Sequence, residues 1–523
     1  MEYIKYNFGE EVLRSKVLKL SIFATGLAGI VAEYILSTLA TYFLGDSIFQ
    51  WTLILSIMLF SMGLGSRLSR KIKKYLAEIF ILIELCLSLF CSFSSLIAYS
   101  AESFTSYTGI IIYTMAILIG MFIGMEIPLV IRLNQTYESL RVNISNVMEK
   151  DYYGSLVGGL FFAFIGLPYL GLTYTPFVLG LVNFTVALFL FYTVKGELET
   201  SSKKKLYFLS SIIGVAILVG VFIANPVILY GEQHKYVDKV VYAQQTKYQR
   251  IVITKWKDHH WLFLNGNEQL STLDEVLYHE PLVHTVMQLH HYPQNILVLG
   301  GGDGCAVREV LKYPSVDSIT LVDLDPAMTE LALTHPVLTK MNENSLSDSK
   351  VRVINQDGFS FIEKSLSFYD VIIIDLPDPK TVELSRLYSK EFYTICKKQM
   401  RPGGVMITQS GSPYYAARAY KCIEKTFDAA GLNTLPLHNQ IPTLGEWGWV
   451  IGSSSMNRET MKNKLLSSKI ENYNTKWINK EAMSMITSFG KDYFLHDNIE
   501  IEVNQVHNPV LYHYYLKGNW GVY

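Results

Sequence analysis

Long apolar stretches dominate the first 225 residues, whereas the rest of the chain mixes short apolar runs with polar positions. A helix needs about 20 apolar residues to cross a bilayer. Seven stretches are candidates by length and composition: Leu20–Leu44, Phe49–Leu64, Leu76–Tyr99, Gly109–Ile131, Leu156–Leu170, Pro176–Val194 and Leu206–Ala224. The fifth is short, and a re-entrant segment is the alternative there. The pattern predicts a membrane domain of about seven helices over residues 1–225.

Lysines and arginines flank these stretches unevenly. They gather before the first stretch, between the second and third, after the fourth and after the sixth, and the short loops between these places carry none. Basic loops favour the cytoplasmic side, so we expect a cytoplasmic N-terminus. Seven spans then place the rest of the chain outside, whereas a fifth stretch that does not cross keeps it inside. The sequence leaves both topologies open.

Three carboxylates lie within the apolar stretches, namely Glu33, Glu84 and Glu126. A charge in the hydrocarbon region is costly and is a functional hint by default. One interpretation is a site or path for a cationic ligand. The other is a protonated glutamate that forms a hydrogen bond between helices.

The second half has the pattern of a globular α/β domain. The alternating runs Tyr248–Lys255 and Trp261–Leu264 predict a small β subdomain over residues 231–272. Thr272 and Glu275 have the spacing of a capping box, which predicts a helix beginning near Thr272. Five short apolar strands follow, alternating with helices: Asn295–Leu299, Ser318–Val322, Val351–Ile354, Val371–Ile374 and Gly404–Thr408. This order predicts a Rossmann-like, doubly wound parallel sheet over residues 273–455, with residues 456–523 as an extension packed on it.

Aspartates follow the predicted strands: Asp303, Asp323, Asp357, Asp375 and Asp378. Ligands of such sheets bind at the carboxyl ends of the strands, so we expect these acids to share one cleft. Carboxylates without counter-charges repel one another, which favours a cationic ligand. Composition changes little here: the net charge of −1 gives no argument for nucleic acid, and the five cysteines lack the spacing of a zinc site.

A glycine-rich turn, Gly300 to Gly304, follows the first strand of the sheet. Such a turn alone is weak evidence for a nucleotide site. Asp303 within it disfavours phosphate and favours an ammonium or sulfonium, and Asp323 has the spacing of an acid that binds ribose hydroxyls. Adenosine with a cationic chain fits both features, as in S-adenosylmethionine or its decarboxylated form.

At these positions the chain resembles the spermidine synthase family over residues 240–450, in a form similar to its membrane-bound bacterial branch. The resemblance is carried by Tyr248-Gln249, Gln269–Glu280 (QLSTLDEVLYHE), Gly300–Gly304 (GGGDG), Asp323, Asp357-Gly358, Asp375–Pro379 (DLPDP) and Gln409. It implies a polyamine aminopropyltransferase that uses decarboxylated S-adenosylmethionine as co-substrate and needs no metal.

The resemblance also implies roles for single residues. For the donor, Gln249 and Asp303 contact the methionine-derived tail, Asp323 binds the ribose and Asp357 accepts from the adenine amino group. Three glycines belong to the same expected site: Gly300, Gly302 and Gly358.

For the acceptor, the resemblance makes Asp375 the general base. Tyr278 and Asp378 hold the amine, and His279 lies where members carry Gln or His. One departure follows residue 443, where soluble members usually place a tyrosine and this chain has Leu444. Glu446 is a candidate anchor for the distal ammonium, with Trp447 as a cation–π face. A strand with a buried aromatic pair, Trp447 and Trp449, is the alternative.

Two other functions stay open: a methyltransferase that uses intact S-adenosylmethionine, and a polyamine sensor or transporter with an inherited enzyme fold. The expected partners are a small polyamine, the lipid bilayer and a second copy of the chain in a homodimer, without nucleic acid. The expected location is the cell membrane.

Overall fold

The computed structural model describes residues 2–45, 47–105, 107–135, 137–196, 198–490 and 500–520, and only the backbone of residues 2–12. The chain separates into two compact units. The first, Met1–Val240 with Gln245–Lys247, is called the helical unit here. The second, Val241–Gln244 with Tyr248–Tyr523, is called the sheet unit.

The helical unit consists of seven α-helices joined by short connections. They are α1 (Glu2–Leu44), α2 (Ser47–Ser69), α3 (Leu76–Phe104), α4 (Thr108–Asn134), α5 (Leu140–Phe161), α6 (Gly171–Val194) and α7 (Thr200–Lys235). A π-helical segment, Phe162–Leu170, joins α5 to α6. In the described residues, six continuous helical runs are long and apolar enough to cross a membrane.

The fifth of these runs, Leu140–Val194, contains two of the predicted spans. It is 55 residues long, which in a straight helix is about 80 Å and far exceeds a bilayer. The run turns back at Gly171, whose φ is +61°. The Thr175 hydroxyl donates to the Gly166 carbonyl at 2.8 Å, although nine residues of straight helix would separate them by about 13 Å. The run is therefore a hairpin with two antiparallel arms.

After α7 the chain forms a small four-stranded sheet in the order β1-β2-β3-β4, in which β2–β3 and β3–β4 pair antiparallel. Its strands are β1 (Lys239–Gln245), β2 (Arg250–Trp256), β3 (His259–Leu264) and β4 (Asn267–Ser271). Asn265 and Gly266 both have positive φ, as a tight turn between β3 and β4 requires. Two strands were expected in residues 231–272, and the structure adds β1 and β4.

The main sheet has seven strands in the order β10-β11-β9-β8-β5-β6-β7. They are β5 (Asn295–Gly300), β6 (Ser318–Asp323), β7 (Val351–Asn355), β8 (Tyr369–Asp375), β9 (Met400–Gly411), β10 (Asn433–Ile441) and β11 (Gly445–Ser453). The strands from β5 to β9 pair in parallel, while β11 pairs antiparallel with β9 and β10. The order reverses between β5 and β8, which is the switch point where such sheets bind ligands.

Helices cover both faces of this sheet. They are α8 (Val276–Leu289), α9 (Cys305–Leu311), α10 (Pro326–Thr334), α11 (Pro336–Met341), α12 (Gly358–Lys364), α13 (Val382–Ser385), α14 (Lys390–Lys398), α15 (Ala417–Ala429), α16 (Arg458–Leu466), α17 (Lys480–Ile486) and α18 (Leu511–Leu516). Residues of β5 and β8 alternate between two buried clusters, one on each face. The short apolar runs of these strands are explained by burial on both faces.

The expected capping box at Thr272 is wrong. Helix α8 begins only at Val276, and Glu275 makes no side-chain cap. The Thr272 hydroxyl accepts from the His260 amide, and the Glu275 carboxylate is bound by a distant arginine. Long-range partners thus outweigh the local capping preference at both positions.

Candidate active site

The glycine-rich turn packs directly against the end of β8. The Gly301 amide donates to the main-chain oxygen of Asp375 at 2.9 Å. Gly300 has φ of +83°, and a Cβ there would lie 2.0 Å from the same oxygen. Only glycine fits this position, so the turn holds the end of β8, and with it the Asp375 side chain, at the switch point.

Asp323, at the end of β6, is held by backbone amides. Its carboxylate accepts from the amide of Gly302 at 3.1 Å and from that of Asp325 at 2.9 Å. A Cβ at Gly302 would lie 2.5 Å from this carboxylate, so the close approach depends on glycine. Burial raises the pKa of Asp323 to about 6, and the nearby Asp325 and Asp303 add to the rise.

Asp303, His279 and Asp375 form the centre of the site. Each offers a ligand atom within 4.8 Å of the others, which is also the spacing of a cation site. The Asp303 carboxylate accepts from the Cys305 amide at 2.8 Å and lies 3.9 Å from Nε2 of His279. The expectation that no metal binds here stays a prediction.

His279 is almost completely buried, yet it carries a positive charge at neutral pH. Burial lowers its pKa, but the hydrogen bond to Glu275 and the charges of Asp303 and Asp375 outweigh this and raise the pKa to about 9. Nδ1 lies 2.9 Å from the Glu275 carboxylate, which leaves Nε2 toward Asp303. One of the clustered acids thus has an internal counter-charge.

A buried network of charged residues holds Glu275, the hydrogen-bond partner of His279. Arg308 donates to both oxygens of Glu275, at 2.8 and 3.0 Å, and to Glu309 at 2.8 Å. Glu309 also contacts Nε2 of His284 at 2.8 Å. Burial opposes ionisation of Glu275 and Glu309. The hydrogen bond from His279 to Glu275, the hydrogen bond from His284 to Glu309 and the charge of Arg308 outweigh it and lower the pKa of each acid to about 2.

Asp375 has the environment of a base. Its carboxylate accepts from the Tyr278 hydroxyl at 2.7 Å. Burial raises its pKa to about 6, Asp303 adds to the rise, and the charge of His279 and the bond from Tyr278 oppose it. The carboxylate is therefore ionised at neutral pH. With this pKa it can accept a proton and can also release it again.

Asp378 connects the site to helix α18. The hydroxyl of Tyr515, on α18, donates to the Asp378 carboxylate at 2.6 Å. The ammonium of Lys380 lies 3.5 Å from the same carboxylate and 5.7 Å from the centre of the Tyr515 ring. The Gln409 amide donates to the Leu376 carbonyl at 2.8 Å, which fixes the loop that carries Asp378.

Two other predicted site residues bind partners farther along the sheet. Asp357 caps α12 by accepting from the Ser360 amide, and it pairs with Arg386. Gln249 donates to Asp325 at 3.0 Å, beside Asp323. Both positions lie along the row of acids, next to the Asp323 end of the cleft.

Glu446 lies on β11 and pairs with His438 on the neighbouring strand. His438 also contacts the Ser488 carbonyl at 2.8 Å through Nε2, and its pKa is raised mainly by Glu446 against the effect of burial. Trp447 and Trp449 are buried in the same strand, and the Trp449 ring lies 5.5 Å from that of Tyr278. This segment is a strand with a buried aromatic pair, which was the alternative interpretation of the sequence.

Sequence reasoning missed Tyr515 and Lys380. Lys380 directly follows the Asp375–Pro379 segment, so its position could have indicated it. Tyr515 lies within residues 456–523, where the sequence pattern predicts no individual helix or strand. It contacts Asp378, which is 137 positions away in the sequence. No local signal marks such a contact.

The chain is similar to known proteins over nearly its whole length. Residues 275–464 match the spermine/spermidine synthase domain. Polyamine aminopropyltransferase 2 of Aquifex aeolicus is 42% identical over 96% of this chain and 99% of its own. The polyamine aminopropyltransferase of Leptospira interrogans is 38% identical over 95% and 97% of the two chains.

Among solved structures, a spermidine synthase in complex with the transition state analogue AdoDATO is 27% identical, with a TM-score of 0.45 over 48% of this chain and 86% of its own. The two curated relatives decide the assignment, because each is matched along nearly its whole length. The chain belongs to the spermine/spermidine synthase family and is a transferase of the polyamine aminopropyltransferase type.

Proposed function

We propose that this protein is a membrane-bound aminopropyltransferase that moves the aminopropyl group of decarboxylated S-adenosylmethionine to a polyamine acceptor. The observation that carries the proposal is the cluster of Asp303, His279 and Asp375 at the switch point, where two acids share one buried imidazolium. One acid thus lacks a full counter-charge, and a cationic substrate would supply it.

The donor would lie along the row of acids. Its terminal ammonium would meet Asp303, its ribose hydroxyls would meet Asp323, and its adenine amino group would meet Asp357. Two backbone amides already hold Asp323, which leaves lone pairs for hydroxyl donors. Intact S-adenosylmethionine would bring its extra carboxylate against Asp303, so this arrangement favours the decarboxylated form.

Asp375 would act as the general base. The acceptor amine attacks the methylene carbon bound to sulfur while the carbon–sulfur bond breaks, and the bonding pair stays on sulfur as a neutral thioether. The acceptor amine is protonated at neutral pH, so it gives one proton to Asp375 as the new bond forms, and the product nitrogen remains an ammonium. The products are a longer polyamine and methylthioadenosine. Tyr278 orients the Asp375 carboxylate through its hydrogen bond, so the base is aligned before the substrate arrives.

The acceptor would extend past Asp375 toward Asp378 and Tyr515. Their hydrogen bond gives this end a polar wall made by the C-terminal segment, where soluble members of the family use the tyrosine that Leu444 replaces here. Glu446 remains the proposed contact for a distal ammonium, and its pairing with His438 would have to adjust to a longer acceptor.

The test is release of methylthioadenosine by the purified full-length protein in detergent. Decarboxylated and intact S-adenosylmethionine are compared as donors, each with diamines and triamines of several lengths. We expect release only with the decarboxylated donor and a clear preference among acceptors. Methyl transfer from the intact donor, or no release with any amine, would overturn the proposal.

We also propose that the helical unit spans the membrane. Its six apolar runs have the required length, and the hairpin in the fifth run adds one crossing. Seven crossings place the sheet unit on the face opposite to the N-terminus, which the basic loops place in the cytoplasm. A sheet unit outside the cell would meet its donor, an intracellular metabolite, only after export.

Cysteine labelling decides the topology. Lys255 is exposed on β2, and the five native cysteines are buried or half-buried, so Lys255→Cys gives one reactive thiol of known position. A membrane-impermeant maleimide should label this variant in intact cells. Labelling that appears only after the cells are opened would place the sheet unit inside and reduce the crossings to an even number.

A further inference from the structure

Two fully buried carboxylates lie on neighbouring helices of the helical unit. Glu84 on α3 and Glu126 on α4 are each 0% exposed. Both oxygens of Glu84 and one oxygen of Glu126 have no hydrogen-bond partner among the described residues. The other oxygen of Glu126 accepts from Thr25 on α1. The ring of Phe90 on α3 stacks on that of Phe122 on α4, with 5.9 Å between their centres. These consecutive helices therefore run antiparallel, and Glu84, before Phe90, lies at about the same level as Glu126, after Phe122.

A buried carboxamide lies at the same level. The Ser88 hydroxyl donates to the Gly180 carbonyl at 2.7 Å, and the ring of Phe93 meets that of Phe177 at 5.7 Å, so α3 and α6 run antiparallel. One turn from Ser88 is Glu84, and one turn from Gly180, in the matching direction, is Asn183. Asn183 is 0% exposed, and neither its oxygen nor its nitrogen has a partner among the described residues.

The lengths of four helices around these acids carry no cationic side chain. Residues 20–44, 76–131 and 171–194, which form the interior lengths of α1, α3, α4 and α6, contain no lysine, arginine or histidine. A third acid approaches instead: a Cβ at Gly26 would lie 3.0 Å from a carboxylate oxygen of Asp151, on α5. An ionised carboxylate without a partner is strongly unfavourable in such surroundings, so these groups are neutral when the site is empty and ionise only beside a cation from outside the fold.

The free atoms match one kind of ligand. A primary ammonium has three N–H donors and no acceptor. Glu84, Glu126 and Asn183 offer free oxygens from three helices, and together they supply both the charge and the hydrogen bonds that such a group needs. A bare proton would satisfy only one oxygen.

We propose that Glu84, Glu126 and Asn183 bind the terminal ammonium of a polyamine within the helical unit. This second amine site takes no part in the transfer reaction. The proposal rests on the proposed function only for the chemical class of the ligand. It gives the helical unit a role of its own: it binds the enzyme's substrate or product at membrane depth.

Dicyclohexylcarbodiimide tests the site, because it modifies protonated carboxyl groups in apolar surroundings. The full-length protein in detergent is treated with and without spermidine, and labelled peptides are quantified by mass spectrometry. Bound ammonium keeps Glu84 and Glu126 ionised, so we expect spermidine well above its dissociation constant to reduce their labelling about fivefold or more. Sodium chloride at equal ionic strength should not.

Glu232 provides the internal control. It is also buried in the helical unit, but it has a partner, the hydroxyl of Tyr42, and its labelling should not respond to spermidine. Glu84→Gln should make any labelling of Glu126 insensitive to spermidine while methylthioadenosine release continues. Equal protection by sodium chloride, or no protection of the wild-type protein, would overturn the proposal. Neither result would affect the proposed transfer reaction.

Discussion

The buried acids of the two units differ in how they are compensated. In the sheet unit, Glu275 is held by Arg308 and His279, and Glu280 accepts three backbone amides at 2.6 to 2.8 Å. In the helical unit, Glu84 has no partner for either oxygen among the described residues. An acid with several partners is held by the fold itself, whereas an acid with free oxygens can accept a cation from outside. In our proposal, this difference separates acids that build the structure from acids that bind a ligand.

The acids of the active site lie between these extremes. Asp375 has one protein donor, Tyr278, and shares the charge of His279 with Asp303. Its pKa of about 6 reflects this partial compensation. Partial compensation suits catalysis, because the site stays folded while empty and still gains from a cationic substrate.

The largest expected effect comes from breaking the compensated network. Glu275→Gln leaves Arg308 and His279 buried with too little negative charge, which should cost about 3–5 kcal/mol of stability. We expect the unfolding temperature of the sheet unit, followed by tryptophan fluorescence, to fall by roughly 10 °C. The control is Glu363→Gln, which changes an exposed carboxylate on α12. A fall no greater than in the control would mean that the network is not stabilising.

Tyr515→Phe should weaken the acceptor end of the site. It removes the hydroxyl that donates to Asp378, and a hydrogen bond to a charged group contributes about 1.5–3 kcal/mol. We expect the KM for the acceptor to rise roughly tenfold or more, with the KM for the donor unchanged. Tyr514→Phe is the matched control, because its hydroxyl contacts the Glu502 amide instead. Equal changes in both KM values would assign Tyr515 a purely structural role.

His279→Gln should shift the pH dependence of the reaction. Asp375 is active when ionised, so kcat/KM should fall as the pH falls through about 6. The pKa of His279 is about 9, so the imidazolium is charged in this range and lowers the pKa of Asp375. Removing the charge should therefore move the acid limb to higher pH. An unchanged limb would show that Asp375 is not the group that titrates.

The smallest effect is expected at the uncompensated acid. Glu84→Gln replaces a buried carboxyl group that no described residue binds with an amide of the same size, so the free energy of unfolding of the helical unit should change by about 1 kcal/mol at most. Thermal unfolding in detergent, without added polyamine, measures this. A loss comparable with that of Glu275→Gln would remove the distinction between the two kinds of acid.

The parallel sheet was predictable because its strands are buried on both faces. The run Asn295–Leu299 was expected as a strand, and β5 spans Asn295–Gly300. The aspartates at the strand ends follow from the same pattern, since parallel strands end at one edge. Sequence patterns therefore predicted the row of acids together with the fold.

Features made by distant partners were not predictable. Glu275 has local capping spacing, but Arg308 lies 33 positions away and binds it instead. Tyr515 reaches Asp378 from a segment without a clear pattern. In both cases a tertiary contact overrides the local preference. The break at Gly171 differs, because the stretches Leu156–Leu170 and Pro176–Val194 on either side of it were predicted separately.

The role of Asp375 is tested most directly by Asp375→Asn, with turnover and donor binding measured on the same preparation. The amide keeps the size of the side chain and an oxygen to accept from Tyr278, but it cannot take the proton of the amine. We predict that kcat falls by about a hundredfold to ten-thousandfold while the dissociation constant of decarboxylated S-adenosylmethionine stays nearly unchanged. Turnover within tenfold of the wild-type protein would contradict the assignment of Asp375 as the base.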